Sequence, residues 1–253
     1  MGDYIRPVLG LPPHVTACLF DLDGVLTQTA LVHNAAWKQT FDSFLQTWSA
    51  QHGQPFVPFD PGPDYHQYVD GRQRADGVRT FLSSRGITLP EGTPDDGPDA
   101  ETVNGIGNRK NVLVLQKIAE GAVQVYPGSV DYLHAVKAAG LRRAVVSASA
   151  NCAEVLRAAG ITDLLEVRVD GVVARERHLP GKPAPDTFVY AAELLQTPLE
   201  NCAVFEDALA GVEAGRAGKF GIVVGVDRVG QADALLAHGA DIVVQDLSEL
   251  LTR

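Results

Sequence analysis

Four acidic residues follow apolar runs of strand length in this sequence. Asp21 and Asp23 come at the end of the first run, and Glu206 and Asp207 come at the end of a later one. Ligands of open parallel sheets gather beyond the carboxyl ends of the strands, so we expect these four side chains to lie close together. Carboxylates in such proximity need a compensating cation. Mg²⁺, a hard ion that prefers oxygen ligands, is the cation that this set predicts.

Two hydroxyl groups and an amine are expected at the same edge of the sheet. Ser147 and Ser149 end another apolar run, and Lys182 lies in a loop before a predicted helix. Taken singly, each feature has a structural alternative. The serines can cap the helix that follows Asn151, an acid pair at a helix start is favoured by the helix dipole, and a lone lysine is usually exposed. Their joint occurrence at successive strand ends favours a functional site.

Apolar runs alternate with Ala- and Leu-rich segments of helical spacing through most of the chain. The runs are almost continuously hydrophobic, as expected of parallel strands that are covered on both faces. Glycines at 140, 160 and 218 stand where helix C-terminal glycines belong. The alternation predicts an α/β fold with a doubly wound, Rossmann-like parallel sheet. The predicted strands are Val15–Leu22, Arg143–Ser149, Cys202–Asp207, Phe220–Val226 and Asp241–Leu247, and the predicted helices are Ser129–Ala139, Asn151–Ala159, Asp186–Leu195 and Ala208–Ala217.

Residues 30–121 interrupt this alternation. Three patterns of helical spacing occur there, separated by Pro/Gly/Asp-rich stretches at 53–63 and 86–105 that are loops by composition. We interpret the segment as a helical insertion after the first strand, and its aromatic stripe as a packing core, with a ligand surface as the alternative. The three patterns contain Trp37, Phe41, Phe44, Leu45 and Trp48, then Val78, Phe81, Leu82 and Arg85, then Val112, Leu115 and Ala119.

Composition and charge limit the classes of partner. The 253 residues are 45% hydrophobic and 21% charged, as in ordinary globular proteins, and 21 basic against 31 acidic residues give a formal net charge of −10. Because an acidic surface repels nucleic acid and anionic membranes, we expect neither as a partner. An anionic substrate would instead need cationic side chains gathered at the site.

The cysteines and the apolar runs indicate the compartment. Cys18, Cys152 and Cys202 are far apart and form no CxxC pair, so we expect small buried hydrophobic side chains rather than disulfides or a zinc site. No apolar stretch approaches the roughly 20 residues of a membrane span. Residues Met1–Pro13 lack the pattern of a signal peptide. These features predict a cytoplasmic protein.

Four motifs in order resemble those of the haloacid dehalogenase superfamily of phosphotransferases. The run FDLDGVLT at Phe20–Thr27 resembles the superfamily signature, Ser147 its second motif, Lys182 in GKPAPD its third, and Glu206-Asp207 in FEDALAG its fourth. The match spans essentially the whole predicted core. Within the superfamily the chain is most similar to the beta-phosphoglucomutase-like subfamily. The additional matching segments are LTQTALVHNAAWK, which contains Thr29 and His33, VSASAN at 146–151, DGRQR at 70–74, and Arg109-Lys110-Asn111.

The resemblance implies roles for the core residues. Asp21 would attack phosphorus and form an aspartyl-phosphate, and Asp23 would act as general acid and base. Mg²⁺ would be held by the Asp21 carboxylate, the Asp23 backbone carbonyl, Glu206 and Asp207. The transferring phosphoryl group would be bound by Ser147, Ala148, Ser149, Asn151 and Lys182.

The resemblance also implies that the insertion is a cap domain at residues 31–121, on a core formed by residues 1–30 and 122–253. In the cap-side segments, Thr29 and His33 would take part in catalysis, with His33 coupling sugar binding to the engagement of Asp23. Arg74 would hold the distal phosphate, and Gly71 and Lys110 would bind substrate. The chain departs from the family pattern at Gln28, Asp70 and Ala208. Since the cap supplies specificity, these departures and the long cap loops leave the sugar open.

The resemblance implies a Mg²⁺-dependent mutase that interconverts beta-D-glucose 1-phosphate and glucose 6-phosphate through glucose 1,6-bisphosphate. A sugar-phosphate phosphatase on the same core is the first alternative, and a non-catalytic binding protein is a remote one. A small phosphosugar is the expected partner, and we expect a monomer.

Overall fold

The computed structural model describes residues 9–252, so the first eight residues of the predicted core and most of Met1–Pro13 lie outside the described part. The chain divides into two compact units. The first unit comprises Met1–Gln28 and Val123–Arg253, and the second comprises Thr29–Ala122. The assignment of these units as catalytic core and cap stays a prediction.

Within the described part of the first unit, six parallel strands form one sheet in the order β3-β2-β1-β4-β5-β6. This sheet, with helices between successive strands, confirms the predicted α/β fold class. The strands are β1 (Ala17–Phe20), β2 (Arg142–Val146), β3 (Val167–Val169), β4 (Cys202–Glu206), β5 (Ile222–Val226) and β6 (Ile242–Val244).

The sequence analysis placed five of these strands and missed β3. This edge strand has three residues, and Arg168 at its centre is exposed, so it carries no apolar run. Four of the predicted runs also extend past the carboxyl end of the observed strand, by one to three residues. The chain leaves the ladder there and enters loops, which is where the predicted site residues lie.

The register of the central strands brings three chain segments to one level. Phe20 at the end of β1 pairs with Val145 of β2 and with Phe205 of β4. The next amide, that of Asp21, still donates to the Phe205 carbonyl at 2.9 Å. The residues that follow these pairs therefore leave the sheet side by side.

The four helices that the sequence predicts in the first unit are present, with ends that differ by at most two residues. The helices at Gly171–Glu176 and Ala232–His238 were not predicted. Gly140 and Gly160 end helices in the left-handed region, at φ of +75° and +69°. Gly218 also ends a helix, as the sequence predicts, but with φ −74°. The helices are α4 (Pro127–Ala138), α5 (Cys152–Ala159), α6 (Gly171–Glu176), α7 (Asp186–Leu194), α8 (Leu209–Ala217) and α9 (Ala232–His238).

An aromatic cluster fixes β1 against its neighbours. The rings of Phe20 and Phe205 stack with centroids 4.5 Å apart, and Tyr132 of α4 meets Phe20 edge-on. The Tyr132 hydroxyl donates to the Leu9 carbonyl at 2.8 Å, so its polar end is satisfied. Each fully buried aromatic side chain contributes about 2–3 kcal/mol by removal of apolar surface from water. This packing holds the strand that carries Asp21.

The second unit is helical and contains α1 (Thr29–His52), α2 (Arg74–Ser84), α3 (Val103–Ala119) and a short π-helix at Tyr65–Val69. Trp37, Phe41 and Phe81 are buried in one cluster with Phe59. Phe41 stacks on Trp37 at 4.9 Å and meets Phe81 at 4.1 Å. These contacts confirm the interpretation of the aromatic stripe as a packing core.

The inward face of α3 differs from the pattern read in the sequence. Val112 and Leu115 are 52% and 41% exposed, whereas Ile106 and Val114 are buried. Val112, Leu115 and Ala119 recur at helical spacing, so periodicity correctly identified the helix. It did not identify the face of the helix that is buried.

In the part of the chain from 9 to 252, no helix combines the length and the hydropathy needed to cross a membrane.

All three cysteines are buried free thiols, as the sequence predicts. Burial raises the pKa of Cys202 to about 12 and raises the pKa values of Cys18 and Cys152 as well. Because the thiolate is the reactive form, all three should be inert in the folded protein.

We therefore expect a thiol reagent such as dithionitrobenzoate to label none of the cysteines rapidly at pH 8 in the native protein. The same reagent should titrate three thiols in guanidinium chloride. Rapid labelling of a native thiol would contradict the burial described above.

Candidate active site

Lys182 forms the centre of a buried charged cluster in the first unit. Its ammonium lies 2.5 Å from Asp21 Oδ1 and 2.6 Å from Glu206 Oε1, and it donates to the Val146 carbonyl at 3.0 Å. These three contacts use all three donors of the ammonium. The Lys182 residue is 2% exposed, Asp21 5% and Glu206 0%. The carboxyl ends of β1, β2 and β4 thus meet at one side chain from the loop before α7.

Three carboxylates in this cluster have the composition of a divalent-cation site. Asp21, Glu206 and Asp207 are buried, and each offers an oxygen such that all lie within 4.8 Å of one another. Three carboxylates against one ammonium leave two negative charges uncompensated. Oxygen ligands and an excess charge of this sign fit a hard divalent cation. The set contains three of the four residues predicted to bind metal, and the fourth, Asp23, was predicted to act through its backbone carbonyl.

The pKa values of the cluster reflect burial and mutual charge. Burial raises the pKa of Asp21 well above its usual range, and nearby Glu206 and Asp23 raise it further, while Lys182 lowers it. Burial opposes the charged form of Lys182, but the Asp21 and Glu206 carboxylates outweigh it and raise the pKa of the ammonium. A divalent cation beside Asp21 would lower the pKa of its carboxyl group and keep it ionised for nucleophilic attack.

Two glycines make room for the carboxylates. Gly24 has φ +97°, and a Cβ atom there would lie 1.7 Å from Asp207 Oδ2. At Gly211, in the first turn of α8, a Cβ atom would lie 1.8 Å from Glu206 Cδ. The Ala208 amide also donates to Glu206 Oε2 at 3.1 Å. The positions of both carboxylates therefore depend on the absence of a side chain at a neighbouring residue.

The predicted phosphate-binding segment at 147–151 is held in shape by its own serines. The Ser149 amide donates to Ser147 Oγ at 3.1 Å, and the Asn151 amide donates to Ser149 Oγ at 3.1 Å. Ser147 Oγ also lies 3.3 Å from Asp23 Oδ2, which links the ends of β2 and β1. Ser149 Oγ thus holds the amide of Asn151, the residue that directly precedes α5.

The turn after β3 supports this segment from the side. The Gly171 amide donates to the Ser149 carbonyl at 3.1 Å, and a Cβ atom at Gly171 would lie 2.8 Å from the Ala148 carbonyl oxygen. Asp170 caps α6 by accepting from the amides of Val172 and Val173, both at 3.0 Å. Sequence reasoning missed Asp170 because it missed β3, although an acid directly before a helical segment is a capping signal.

Five of the predicted site residues belong to the second unit. His33 Nδ1 lies 2.5 Å from the Lys110 ammonium, which also sits 4.8 Å from the centre of the Trp37 ring. Since an ammonium only donates, Nδ1 accepts, and the proton of a neutral His33 ring lies on Nε2. Their roles in catalysis and substrate binding stay predictions. The five residues are Thr29, His33, Gly71, Arg74 and Lys110.

The segment at 70–74 has an unusual backbone. It follows the π-helix, whose last bond runs from the Asp70 amide to the Tyr65 carbonyl at 3.0 Å, and Gly71 has φ +67°. Asp70, one of the departures from the family pattern, accepts from His66 Nδ1 at 3.2 Å and is 8% exposed. The stem of Arg74, the first residue of α2, passes over Gly107, where a Cβ atom would lie 3.1 Å from Arg74 Cγ.

Sequence reasoning also missed Arg228. It lies two residues beyond the end of β5, and its Nε donates to the Gly24 carbonyl at 2.9 Å. Because Arg228 follows the carboxyl end of a strand, the argument that selected acids and hydroxyls at strand ends could also have selected this arginine.

We predict that Gly24→Ala weakens divalent-cation binding about 10–100-fold, the usual cost of disturbing a group that supports metal ligands. The added methyl group would displace the Asp207 carboxylate. The Mg²⁺ dependence of activity measures this effect. Gly160→Ala is the control, because φ is +69° there but no atom lies within 4 Å of the new Cβ. Equal Mg²⁺ dependence in the two variants would contradict the prediction.

We predict that Lys182→Met lowers the free energy of unfolding by about 3–5 kcal/mol in metal-free buffer, because it leaves buried carboxylates unpaired. Urea denaturation measures the change. Lys137→Met, at an exposed position in the last turn of α4, should change stability little. A small effect at Lys182 would show that the cluster tolerates its charge without the ammonium.

Comparisons with known proteins identify the family of this chain. A family model for haloacid dehalogenase-like hydrolases matches residues 15–219. A protein of Mycobacterium tuberculosis named beta-phosphoglucomutase is 58% identical over 99% of this chain and 100% of its own length. The beta-phosphoglucomutase of Bacillus subtilis is 30% identical over 92% of this chain and 91% of its own. The crystal structure of beta-phosphoglucomutase from Clostridium difficile superposes with a TM-score of 0.73, at 26% identity and with 93% of each chain covered. The chain therefore belongs to the haloacid dehalogenase-like hydrolase family and, within it, to the beta-phosphoglucomutase-like subfamily.

Proposed function

We propose that this chain is a Mg²⁺-dependent beta-phosphoglucomutase. It interconverts beta-D-glucose 1-phosphate and glucose 6-phosphate through an aspartyl-phosphate and glucose 1,6-bisphosphate. The observation that carries the proposal is the buried cluster of Asp21, Lys182, Glu206 and Asp207 at the ends of β1 and β4. Relatives of that name match the chain over nearly its whole length.

The first half of the reaction phosphorylates the enzyme. A carboxylate oxygen of Asp21 attacks phosphorus, the bond between phosphorus and the ester oxygen breaks, and its electron pair stays on the departing oxygen. Asp23 in its protonated form gives that oxygen a proton. The Lys182 ammonium neutralises part of the charge at Asp21, and Mg²⁺ when bound offsets the charge of the transferring phosphoryl group.

In the first half glucose 1,6-bisphosphate is the donor, and a glucose monophosphate leaves. In the second half the phosphoryl group passes from Asp21 to the free hydroxyl of the other glucose monophosphate, which forms glucose 1,6-bisphosphate again. Asp23, now ionised, accepts the proton of that hydroxyl while its oxygen attacks phosphorus, and the Asp21 carboxylate is released. Ser147 donates to the Asp23 carboxylate at 3.3 Å and so helps to hold it at the end of β1. The segment 147–151 binds the phosphoryl oxygens in both halves.

The second unit supplies specificity in this proposal. Arg74 binds the phosphate that is not transferred, Gly71 and Lys110 bind the sugar, and Thr29 and His33 take part in catalysis. The tautomer imposed by Lys110 leaves His33 Nε2 as a hydrogen-bond donor. We also propose a cytoplasmic, monomeric enzyme, with which the three buried free thiols agree.

A coupled assay with the two anomers of glucose 1-phosphate tests the activity. With Mg²⁺ and catalytic glucose 1,6-bisphosphate, we expect rapid formation of glucose 6-phosphate from the beta anomer and little from the alpha anomer. Inorganic phosphate should form much more slowly than glucose 6-phosphate. If the purified protein releases only inorganic phosphate, it is a phosphatase and the mutase proposal is wrong.

Replacement of the nucleophile tests the covalent step. We expect Asp21→Asn to abolish incorporation of ³²P from labelled glucose 1,6-bisphosphate, with the fold intact by circular dichroism. Asp131→Asn, at an exposed position on α4, is the matched control and should label normally. Persistent labelling of Asp21→Asn would remove Asp21 from the role of nucleophile.

A further inference from the structure

Arg228 is a largely buried cation on the loop that follows β5. Its side chain is 13% exposed, and its guanidinium lies 3.5 Å from the centre of the Tyr126 ring. One edge contacts the C-terminal segment, where Nη1 donates to the Gln245 carbonyl at 2.7 Å and lies 3.2 Å from Asp246 Oδ2. A desolvated cation with this many fixed contacts is held in one position.

The other edge of the guanidinium faces the turn that follows Asp23. Nε donates to the Gly24 carbonyl at 2.9 Å, and Nη2 lies 3.4 Å from the Val25 carbonyl. Ser129 Oγ also donates to the Val25 carbonyl, at 2.7 Å. The Val25 carbonyl therefore accepts from two side chains, those of Arg228 and Ser129. The hydrogen bond described at the Gly24 carbonyl comes from Arg228.

This bond restrains a residue whose own backbone has few steric limits. Gly24 adopts φ +97°, and glycine has the least steric restriction of any residue. Its amide donates to the Thr27 carbonyl at 2.7 Å, which sets the direction of the Asp23 carbonyl, because the two groups share one planar peptide. The bond from Arg228 fixes the next peptide plane, so both sides of Gly24 are held.

Gly24 also touches the acid at the other side of the cluster. Its Cα is so near to Asp207 that a Cβ atom would overlap the carboxylate. A rotation of the Gly24 backbone would thus disturb both the Asp23 carbonyl and the space that Asp207 occupies. These are two of the four groups that the proposed Mg²⁺ site uses.

We propose that Arg228 is a positioning residue that holds the turn at Gly24 and thereby shapes the divalent-cation site. The inference rests on the proposed function, because it needs the cation site at Asp21, Asp23, Glu206 and Asp207. Arg228 does not touch the cation or the substrate in this proposal. It acts through the backbone of residues 23–25.

Binding of Mn²⁺, measured by the electron paramagnetic resonance signal of the free ion, tests the proposal in the absence of substrate. We expect Arg228→Gln to weaken Mn²⁺ binding about tenfold or more, the usual effect of losing a group that orients metal ligands. Arg228→Lys should recover part of the loss, because an ammonium keeps the charge but lacks the planar fork that contacts Gly24 and Gln245 together.

Arg143→Gln is the matched control. Arg143 is equally buried, with 11% of its side chain exposed, and its Nε donates to the Leu164 carbonyl at 2.8 Å. It lies near the amino end of β2, away from the carboxyl ends of the strands where the charged cluster lies. Thermal unfolding should show that both glutamine variants lose stability, whereas Mn²⁺ affinity should change less than about twofold in Arg143→Gln. A role of Arg228 in stability alone would leave Mn²⁺ affinity unchanged in both.

The outcomes distinguish failure of the positioning role of Arg228 from failure of the proposed function. If the wild-type protein binds Mn²⁺ and Arg228→Gln binds it equally well, the positioning role is wrong and the proposed function stands. If the wild-type protein binds no Mn²⁺, the cation site is wrong, and the role of Arg228 fails with it. If Arg228→Gln does not fold, Arg228→Lys decides, since an affinity equal to wild type would overturn the positioning role.

Discussion

The attraction between Lys182 and the carboxylates of Asp21 and Glu206 is the interaction on which the rest of this structure depends. Two like charges about 4 Å apart repel by about 4 kcal/mol at an effective dielectric constant of about 20. With Asp207 beside them, the acids at the ends of β1 and β4 could not stay ionised and buried without cations. The lysine supplies one positive charge, and the remaining excess gives the site its affinity for a divalent ion.

The sheet makes this concentration of charge possible. Parallel strands in register end at one level, so β1, β2 and β4 deliver their following residues to a small volume. The backbone around the cluster then has to leave room for the side chains. Gly24 and Gly211 do so beside Asp207 and Glu206, and Gly171 lets the turn after β3 pack against the segment at 147–151, which is predicted to bind phosphate.

The second unit is held together by different interactions from those of the first. Its helices pack around aromatic side chains, and its long loops are held by polar contacts, including a two-point ion pair of Arg79 with Glu91 and a bond from Thr102 to Asp96 at 2.5 Å. Asp70 and His66 form a pair at a position where the chain departs from the family pattern. The charged cluster, by contrast, lies wholly in the first unit.

The sequence by itself determined the fold class, the helical insertion, the family and the acids at positions 21, 23, 206 and 207, because continuous apolar runs and local motifs carry this information in adjacent residues. Only the tertiary structure decided which groups support them. Strand β3 is too short and too polar to give a periodic signal. Arg228 acts on Gly24 from 204 positions away in the chain. The buried ion pair of Lys182 and the inward face of α3 likewise depend on distances between elements, which no local pattern specifies.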